Sequence, residues 1–182
     1  MTAMTEIREF VAQFDSSIVL DESCVVRNRN RYYLKSKQLK QQIPEGFFYA
    51  GAYLGAVKGA SFFPSFILLS MIADAKANKL VVDEKTAWLF ICGRDIFKKG
   101  ILKGNRLKKG DYTLILNERN ECLGFGKIVY NLRGEADANK VAVKNILDIG
   151  DFLRREKRQP KRQQRSRSLQ GRNRKPRKPT RR

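Results

Sequence analysis

After Lys79 the chain becomes a series of short β-forming runs broken by glycine, and this rhythm constrains the fold more than any other feature. The runs are Gly100-Ile101-Leu102, Asp111 to Leu116, Glu121 to Tyr130 and Val141 to Ile146. Within the third lies LGFGKIVY, Leu123 to Tyr130. Written as G-x-G-K, it suggests a phosphate-cradling loop. Such a loop needs a helix behind it, so that its amides and the helix dipole aim at the anion. Here Ile128-Val129-Tyr130 follow, a poor helix start, and no Ser or Thr follows Lys127 to meet a metal ion. Gly124 and Gly126 instead lie two apart, on one face of a strand. Without side chains they let a neighbouring segment cross tightly, as at a bend in a small barrel. Leu123, Phe125 and Lys127 are then expected on the opposite face.

The preceding half reads differently. Ile7, Phe10, Val11 and Phe14 recur at i, i+3, i+4 and i+7, one stripe of a helix. Ser23 to Asn28 and Arg31 to Leu34 are β-like around an Asn28-Arg29-Asn30 turn. Ser36 can cap a short helix over Gln38 to Gln42 that Pro44 closes. Phe47 to Val57 reads as a strand or strand pair in which Gly51 and Gly55 permit a bulge or close approach. Pro64 marks a helix start, and Ser65 to Ala77 is apolar on most faces, as in a buried helix. Leu80-Val81-Val82 is a short strand. Asp83 caps a helix from Glu84 to Cys92, Gly93 stops it, and Asp148 to Arg155 reads as a last helical turn or two. Tyr32, Tyr33, Phe47, Phe48, Tyr49 and Tyr53 are expected in the core, and Trp88 as a packing residue at the domain junction.

Charge points to the partner. The chain carries 38 Lys+Arg against 18 Asp+Glu, net +20, and no histidine. From Lys157 to Arg182 there are 13 basic residues, no acidic one and a lone Leu169, a composition that cannot bury enough apolar surface to order itself. This balance suits a polyanion. The longest apolar stretch, Ser61 to Ala73, is too short for a bilayer span and is interrupted by Pro64. The tail has no apolar anchor for a membrane surface, and no secretory signal is read at the N-terminus. Cys24, Cys92 and Cys122 lie far apart and are read as reduced, small apolar residues, with no metal site and no cofactor.

The run KLVVDEKTAWLFICGRDIFKKGILKGNRLKKGDYTLILNERNECLGFGKIVY resembles a PUA domain, an RNA-binding module. The residues that carry the likeness are Val81-Val82-Asp83, Gly93, Gly100-Ile101, Gly110-Asp111 and Leu123-Gly124-Phe125-Gly126. With Arg31-Tyr32-Tyr33, the Gly51/Gly55 strand, the helix after Pro64 and Asp148-Ile149-Gly150-Asp151-Phe152-Leu153-Arg154, residues 5–156 are similar to the Nip-seven family of ribosome-biogenesis proteins, in its archaeal form. The basic tail lies outside that pattern. So does Asn145-Ile146-Leu147, where eukaryotic members carry histidine and glutamine.

The resemblance implies an α+β protein: an N-terminal α/β pre-PUA domain (1–78), a small mixed β-barrel (79–156) and a disordered basic tail (157–182). It implies a monomeric, non-catalytic factor, cytoplasmic or, in a eukaryote, nucleolar. Its RNA would be ribosomal RNA or its precursor, and assembly proteins would meet the pre-PUA domain. The alternative is an RNA-modifying enzyme or its RNA-targeting subunit, but no histidine, G-x-S-x-G or Ser-x-x-Lys supplies a reaction centre. The cations expected on RNA are Arg94, Lys98, Lys99, Lys103, Arg106, Lys108 and Lys109, then Lys127, then Arg154, Arg155, Lys157 and Arg158. Gly93, Gly100, Gly110, Gly124 and Gly126 shape the turns and strands around them. Arginines of the tail can grip phosphates with little sequence choice. Full-length protein is therefore expected to show a steeper salt dependence of RNA affinity than a version ending at Glu156. Equal slopes in a salt titration would count against contact between tail and phosphate.

Overall fold

The computed structural model describes residues 4–42, 51–104, 107–132, 138–151 and 154. Pro44, Phe47, Phe48, Tyr49 and the tail expected to be disordered lie outside the described residues. Helix α1 (Thr5–Ala12) buries Ile7, Phe10 and Val11, the stripe its spacing predicts. Strands β1 (Val25–Asn28) and β2 (Arg31–Leu34) form a hairpin whose turn holds Arg29 at φ 56°. Helix α2 (Lys37–Gln42) starts from Ser36, whose Oγ accepts the Leu39 amide at 3.1 Å. Strands β3 (Ala52–Lys58) and β4 (Ser61–Pro64) complete an antiparallel sheet of order β1-β2-β3-β4.

Pro64 departs from its expected place. It ends β4, opposite Gly55, and the helix follows one residue later. An edge strand tolerates the missing N–H. Helix α3 (Phe66–Asp74) is capped by Ser65, whose Oγ accepts from the Leu68 amide at 3.2 Å. It stops three residues short of Ala77. The Ser17 amide donates to the Lys76 carbonyl at 2.9 Å and the Asn78 amide to that of Phe14 at 2.8 Å, which draws this segment away from the helix axis.

The second sheet is mixed. It consists of β5 (Lys79–Val82), β6 (Ile96–Phe97), β7 (Ile101–Gly104), β8 (Tyr112–Leu116), β9 (Cys122–Ile128) and β10 (Val141–Asp148), in the order β6-β10-β9-β8-β5-β7. β5 and β8 are parallel and the other neighbours antiparallel. The two edge strands, β6 and β7, are joined by one tight turn over Lys98–Gly100. A sheet whose edges are three residues apart along the chain must curl, and the result is a nearly closed barrel. Leu80, Val82, Ile96, Ile115, Ile128 and Val143 fill it, with Phe90 of helix α4 (Glu84–Ile91). The fold is thus α+β with a small mixed barrel, as the sequence suggests.

Two glycines permit the curl. At Gly124 φ is 147°, and an added Cβ would fall on the Leu147 carbonyl oxygen of β10. At Gly126 it would lie 2.5 Å from the Lys144 carbonyl oxygen and from a Val143 methyl. Strict alternation along β9 fails, however. Leu116 faces Cys122 while Ile115 faces Gly124, so Leu123 is an extra, bulged residue. Leu123 therefore packs inside the barrel, while Phe125 joins the other core.

That other core takes walls from both halves of the chain. Leu114, Leu116 and Phe125, on the barrel's outer side, pack with Ile7, Phe10, Phe14, Leu68 and Ile72. The Phe125 ring centroid lies 5.6 Å from that of Phe10 and 5.5 Å from that of Phe14. Tyr32 and Tyr33 are buried, and the Tyr32 hydroxyl donates to Glu6 Oε2 at 3.0 Å. Two further expectations change. Cys24 is buried and burial pushes the Cys122 thiol up to about 11, but Cys92 is exposed. Trp88 is exposed on α4 instead of packing at the junction.

Gly124→Ala is expected to destabilise the protein by roughly 3 kcal/mol or more, because it adds both a clash and a strained φ. Urea denaturation checks this, and an unchanged midpoint would contradict the close β9–β10 crossing.

Candidate nucleic-acid interface

One end of the barrel gathers lysines from segments far apart in sequence. β8 begins there at Tyr112, β9 ends at Ile128, β10 begins at Val141, and β6 ends at Phe97 opposite Val141. Backbone bonds tie the connecting segments to one another. The Lys98 amide donates to the Lys140 carbonyl and the Lys99 amide to that of Ala138, both at 3.0 Å. The Lys109 amide donates to Asn131 Oδ1 at 2.9 Å, and the Leu132 amide to the Leu107 carbonyl at 3.3 Å. Leu107 is buried in the barrel core and plugs this end.

The turn that carries Lys108 and Lys109 is built by its neighbours. The Asp111 amide donates to the Lys108 carbonyl at 3.1 Å, and Asp111 Oδ2 accepts from the Lys108 amide at 2.7 Å. Gly110 sits at φ 96°, a conformation that favours glycine at the third position of such a turn. Nearby, Gly100 is required by contact, since a Cβ there would meet the Thr86 side chain of α4. Lys99 Nζ donates to the neutral Asn139 Oδ1 at 2.9 Å, and Lys140 Nζ stands 5.9 Å from the Tyr130 ring centre. Asp111 is the one carboxylate within segments 98–100, 107–111, 128–132 and 138–140.

Lys140 belongs to this group, although sequence reasoning missed it. The signal was there to read: it is a cation bordering a β run, as Lys108 and Lys109 are. Lys127 lies on the outer wall nearby. It is opposite Tyr112 on one side and Lys144 on the other, so the three form a row across β8, β9 and β10. Lys127 Nζ is 5.3 Å from the Tyr112 ring centre, whereas Lys144 is paired with Asp95 at 2.6 Å.

The other cations expected on RNA lie elsewhere. Lys103 is on the outer side of β7, in the row of Val81 and Leu116, and borders a shallow depression with Asp74. Arg94 is at the C-terminus of α4, beside the Asn145 end of β10, about 13 Å along that strand from Val141. Gly93 ends the helix at φ 87°. Its amide donates to the Phe90 carbonyl and that of Arg94 to Leu89, the paired bonds of a Schellman turn. Arg106, Arg155, Lys157 and Arg158 lie outside the described residues.

Arg154, expected among the RNA-facing cations, has a structural task. Its Nη2 donates to Asp148 Oδ2 and its Nη1 to the Ile91 carbonyl, each at 2.6 Å. The bond to Asp148 raises the guanidinium pKa further. Asn145 completes the lock. Its Nδ2 donates to the Phe90 carbonyl at 2.9 Å and to Asp148 Oδ2 at 3.1 Å, and its amide to Asp95 Oδ1 at 3.0 Å. Asp148 is buried, and its Oδ1 has no hydrogen-bond partner among the described residues, so loss of Arg154 would leave a buried carboxylate with the neutral Asn145 amide and no cation.

A groove of about 450 Å³ lies between α1, β4 and the barrel, lined by Phe10, Phe62, Tyr112 and Ile146 together with Glu6 and Glu9. Glu6 there is engaged by Arg27 and the Tyr32 hydroxyl, while Glu9 is exposed. Among the described residues, no three Cys, Asp or Glu side chains are grouped to hold a metal ion, and no helix is long and apolar enough to cross a membrane.

The family model described as the UPF0113 PUA domain matches residues 78–157. A UPF0113 protein from Archaeoglobus fulgidus is 28% identical over 111 residues, 60% of this chain and 63% of that protein. The match thus spans less than two thirds of the relative's length. A hypothetical protein from the hyperthermophilic archaeon Pyrococcus horikoshii has a similar structure, with a TM-score of 0.54 at 18% identity over 83% of this chain and 94% of that one. A conserved PUA domain protein from Thermoplasma acidophilum aligns at 18% identity with a TM-score of 0.49, over 72% of this chain and 79% of that one. Residues 78–157 are thus matched by a PUA-domain model, which supports reading the chain as a PUA-domain protein.

Arg154→Ala is expected to lower stability by roughly 1–3 kcal/mol, the cost of a charge-assisted hydrogen bond lost from a buried carboxylate. Denaturant melts of this variant and of Arg154→Lys check it. Wild-type stability in both would remove the proposed lock.

Proposed function

We propose that this protein binds folded RNA through the lysine-bearing end of its barrel and acts, as Nip-seven-type proteins do, as a non-catalytic assembly factor of the large ribosomal subunit. The observation that carries the reading is the convergence of Lys98, Lys99, Lys108, Lys109 and Lys140 on one barrel end through backbone bonds among separate segments. Ammonium groups held at the rim of a rigid barrel can reach phosphates that follow the surface of a folded RNA. Phosphate contacts of this kind fix position and orientation and carry little sequence information. The row from Lys127 extends the cationic surface along the outer wall. The tail, with 13 basic residues and no acidic one, adds affinity of the same unspecific kind.

Ribosomal precursor RNA is the proposed target because the sequence resemblance to the Nip-seven family runs through both halves of the chain. The groove beside α1 is the proposed contact for a protein partner, since it presents aromatic surface.

Replacing Lys98, Lys99, Lys108 and Lys109 together with alanine is expected to weaken RNA binding. The slope of log affinity against log salt should fall by about 0.7–0.9 for each phosphate that the variant no longer neutralises. Fluorescence anisotropy with a ribosomal RNA fragment, at several salt concentrations, measures both. Unchanged affinity and slope would sink the barrel-end site. Crosslinking in cells tests the target, and a map with no enrichment in ribosomal precursor RNA would sink the assembly role.

A further inference from the structure

The tip of the β1–β2 hairpin carries the run Arg27-Asn28-Arg29-Asn30-Arg31, and these arginines take no part in the barrel-end site. Arg27 belongs to the fold. Its Nε donates to the Arg29 carbonyl at 2.9 Å, its Nη1 donates to Glu6 Oε1 at 3.5 Å, and its guanidinium carbon stands 5.4 Å from the Tyr32 ring centre. Asn30 pins the other side of the turn. Its Nδ2 donates to the Val57 carbonyl at 3.0 Å, and its own carbonyl accepts from the Val57 amide at 2.8 Å. The tip is thus tied to its neighbours from both sides. At its apex Arg29 has φ 56°, a left-handed conformation that asparagine adopts more readily. Asparagine stands on either side, yet arginine holds the strained place. Strain of this kind persists where a side chain has a task.

Two more cations join Arg29 from neighbouring strands. Arg31, Ala56 and Phe63 form a row across β2, β3 and β4. The row lies on the face opposite Tyr32 and Phe62, whose rings meet each other and, through Phe62, the Phe10 ring of α1. Lys58, two residues after Ala56, shares this outer face, with its Nζ 5.1 Å from the Phe63 ring centre. It starts roughly 8 Å from Arg31, one strand across and two residues along. Arg29, Arg31 and Lys58 are all exposed, and among the described residues no carboxylate pairs with any of them. Residues 25–34 and 52–64 contain neither Asp nor Glu. The carboxylates that α1 brings to this sheet are Glu6, engaged by Arg27 and the Tyr32 hydroxyl, and Glu9, which lines the groove with Ser61. Asp21 and Glu22, before β1, are paired with Lys37 and Arg8.

Three such cations on a tethered turn fit a partner whose charge runs along a chain. We propose that Arg29, Arg31 and Lys58 form a second phosphate-binding site, through which the N-terminal sheet grips the backbone of the bound RNA. Guanidinium forks hold phosphate by two parallel hydrogen bonds, whereas a lysine acts as a point charge, so this site differs in kind from the barrel end. An acidic protein would also attract these arginines. A protein interface, however, has a desolvated apolar centre, and the exposed large apolar side chain on this outer face, Phe63, lies under Lys58. The inference rests on the RNA-binding reading and extends it from the barrel to the other half of the chain.

Full-length protein is titrated with an end-labelled RNA stem-loop at several salt concentrations, and anisotropy gives affinity and salt slope. Replacing Arg29, Arg31 and Lys58 together with alanine is expected to lower affinity about tenfold and to reduce the slope by about 0.7–0.9 for each phosphate released. Combined with the four barrel-end alanines, the losses in log affinity should add, because the two sites share no residue. Arg29→Lys with Arg31→Lys should keep the wild-type slope and lose the share of affinity due to the forks. Arg29→Asn separates binding from folding: its urea midpoint should match or exceed that of the wild type, while RNA binding weakens. Wild-type affinity and slope in the triple variant, with binding still weakened by the barrel-end alanines, would overturn this site, leave the RNA-binding reading standing and assign the tip to an acidic protein partner. No binding by the wild-type protein would overturn the RNA-binding reading itself, and this site with it.

Discussion

The close crossing of β9 and β10 is the constraint on which the rest of the barrel depends. Curling a six-stranded sheet until its edges lie three residues apart forces two neighbouring strands together at the tightest point. At Gly124 and Gly126 the carbonyl oxygens of Leu147 and Lys144 occupy the space any side chain would need. No larger residue can be repacked there, because the obstruction is backbone. The paired bulge at Leu123 follows from the same curvature: one extra residue on β9 sharpens the bend and turns Leu123 into the barrel. What resembles a phosphate loop in one dimension is a strand pressed against its neighbour in three.

That bend also determines how the chain's two halves share apolar surface. The phase change at Leu123 leaves Phe125 on the outer wall, where its ring meets Phe10 and Phe14 of the N-terminal helix segment. Leu114 and Leu116 join it from β8. Neither half could fill this core alone. A small barrel has little interior, and burying a second face of β8 and β9 lets both halves draw on the same apolar area. The cost is that the outer wall beneath α1 is closed to any ligand. Cations are left to the barrel's end, to the uncovered margin at Lys127, and to the far side, where α4 lies.

Features governed by local chemistry were legible in the sequence. The α1 stripe needs only 3.6-residue periodicity, and the α4 start and stop need only Asp83, whose carboxylate accepts the Thr86 amide at 2.7 Å, and Gly93 in a positive φ. Features governed by register were not. β6 is two residues long and exists because Val141 and Val143 of β10 offer it a ladder. β4 reads as the approach to a helix until its pairing with β3 is known. The grouping of cations failed for the same reason. Arg94 to Lys109 is one cluster along the chain, but Lys98 and Lys99 are bonded to Lys140 and Ala138, whereas the Arg94 carbonyl accepts from Asn145, midway along β10. Arg154 could not be told from its basic neighbours by composition, since its distinction is a buried partner six residues earlier.

The barrel-end lysines and the locked arginine differ in physical character. Lysines on a barrel end form a field that attracts any polyanion and decays within about 8–10 Å at physiological salt. Lys98 and Lys140, on directly bonded segments, share that field, and Lys127 extends it along the outer wall toward Lys144. The Asp148–Arg154 lock serves the fold instead: it fixes residue 154 against the C-terminal end of α4, with the guanidinium divided between a buried carboxylate and the Ile91 carbonyl.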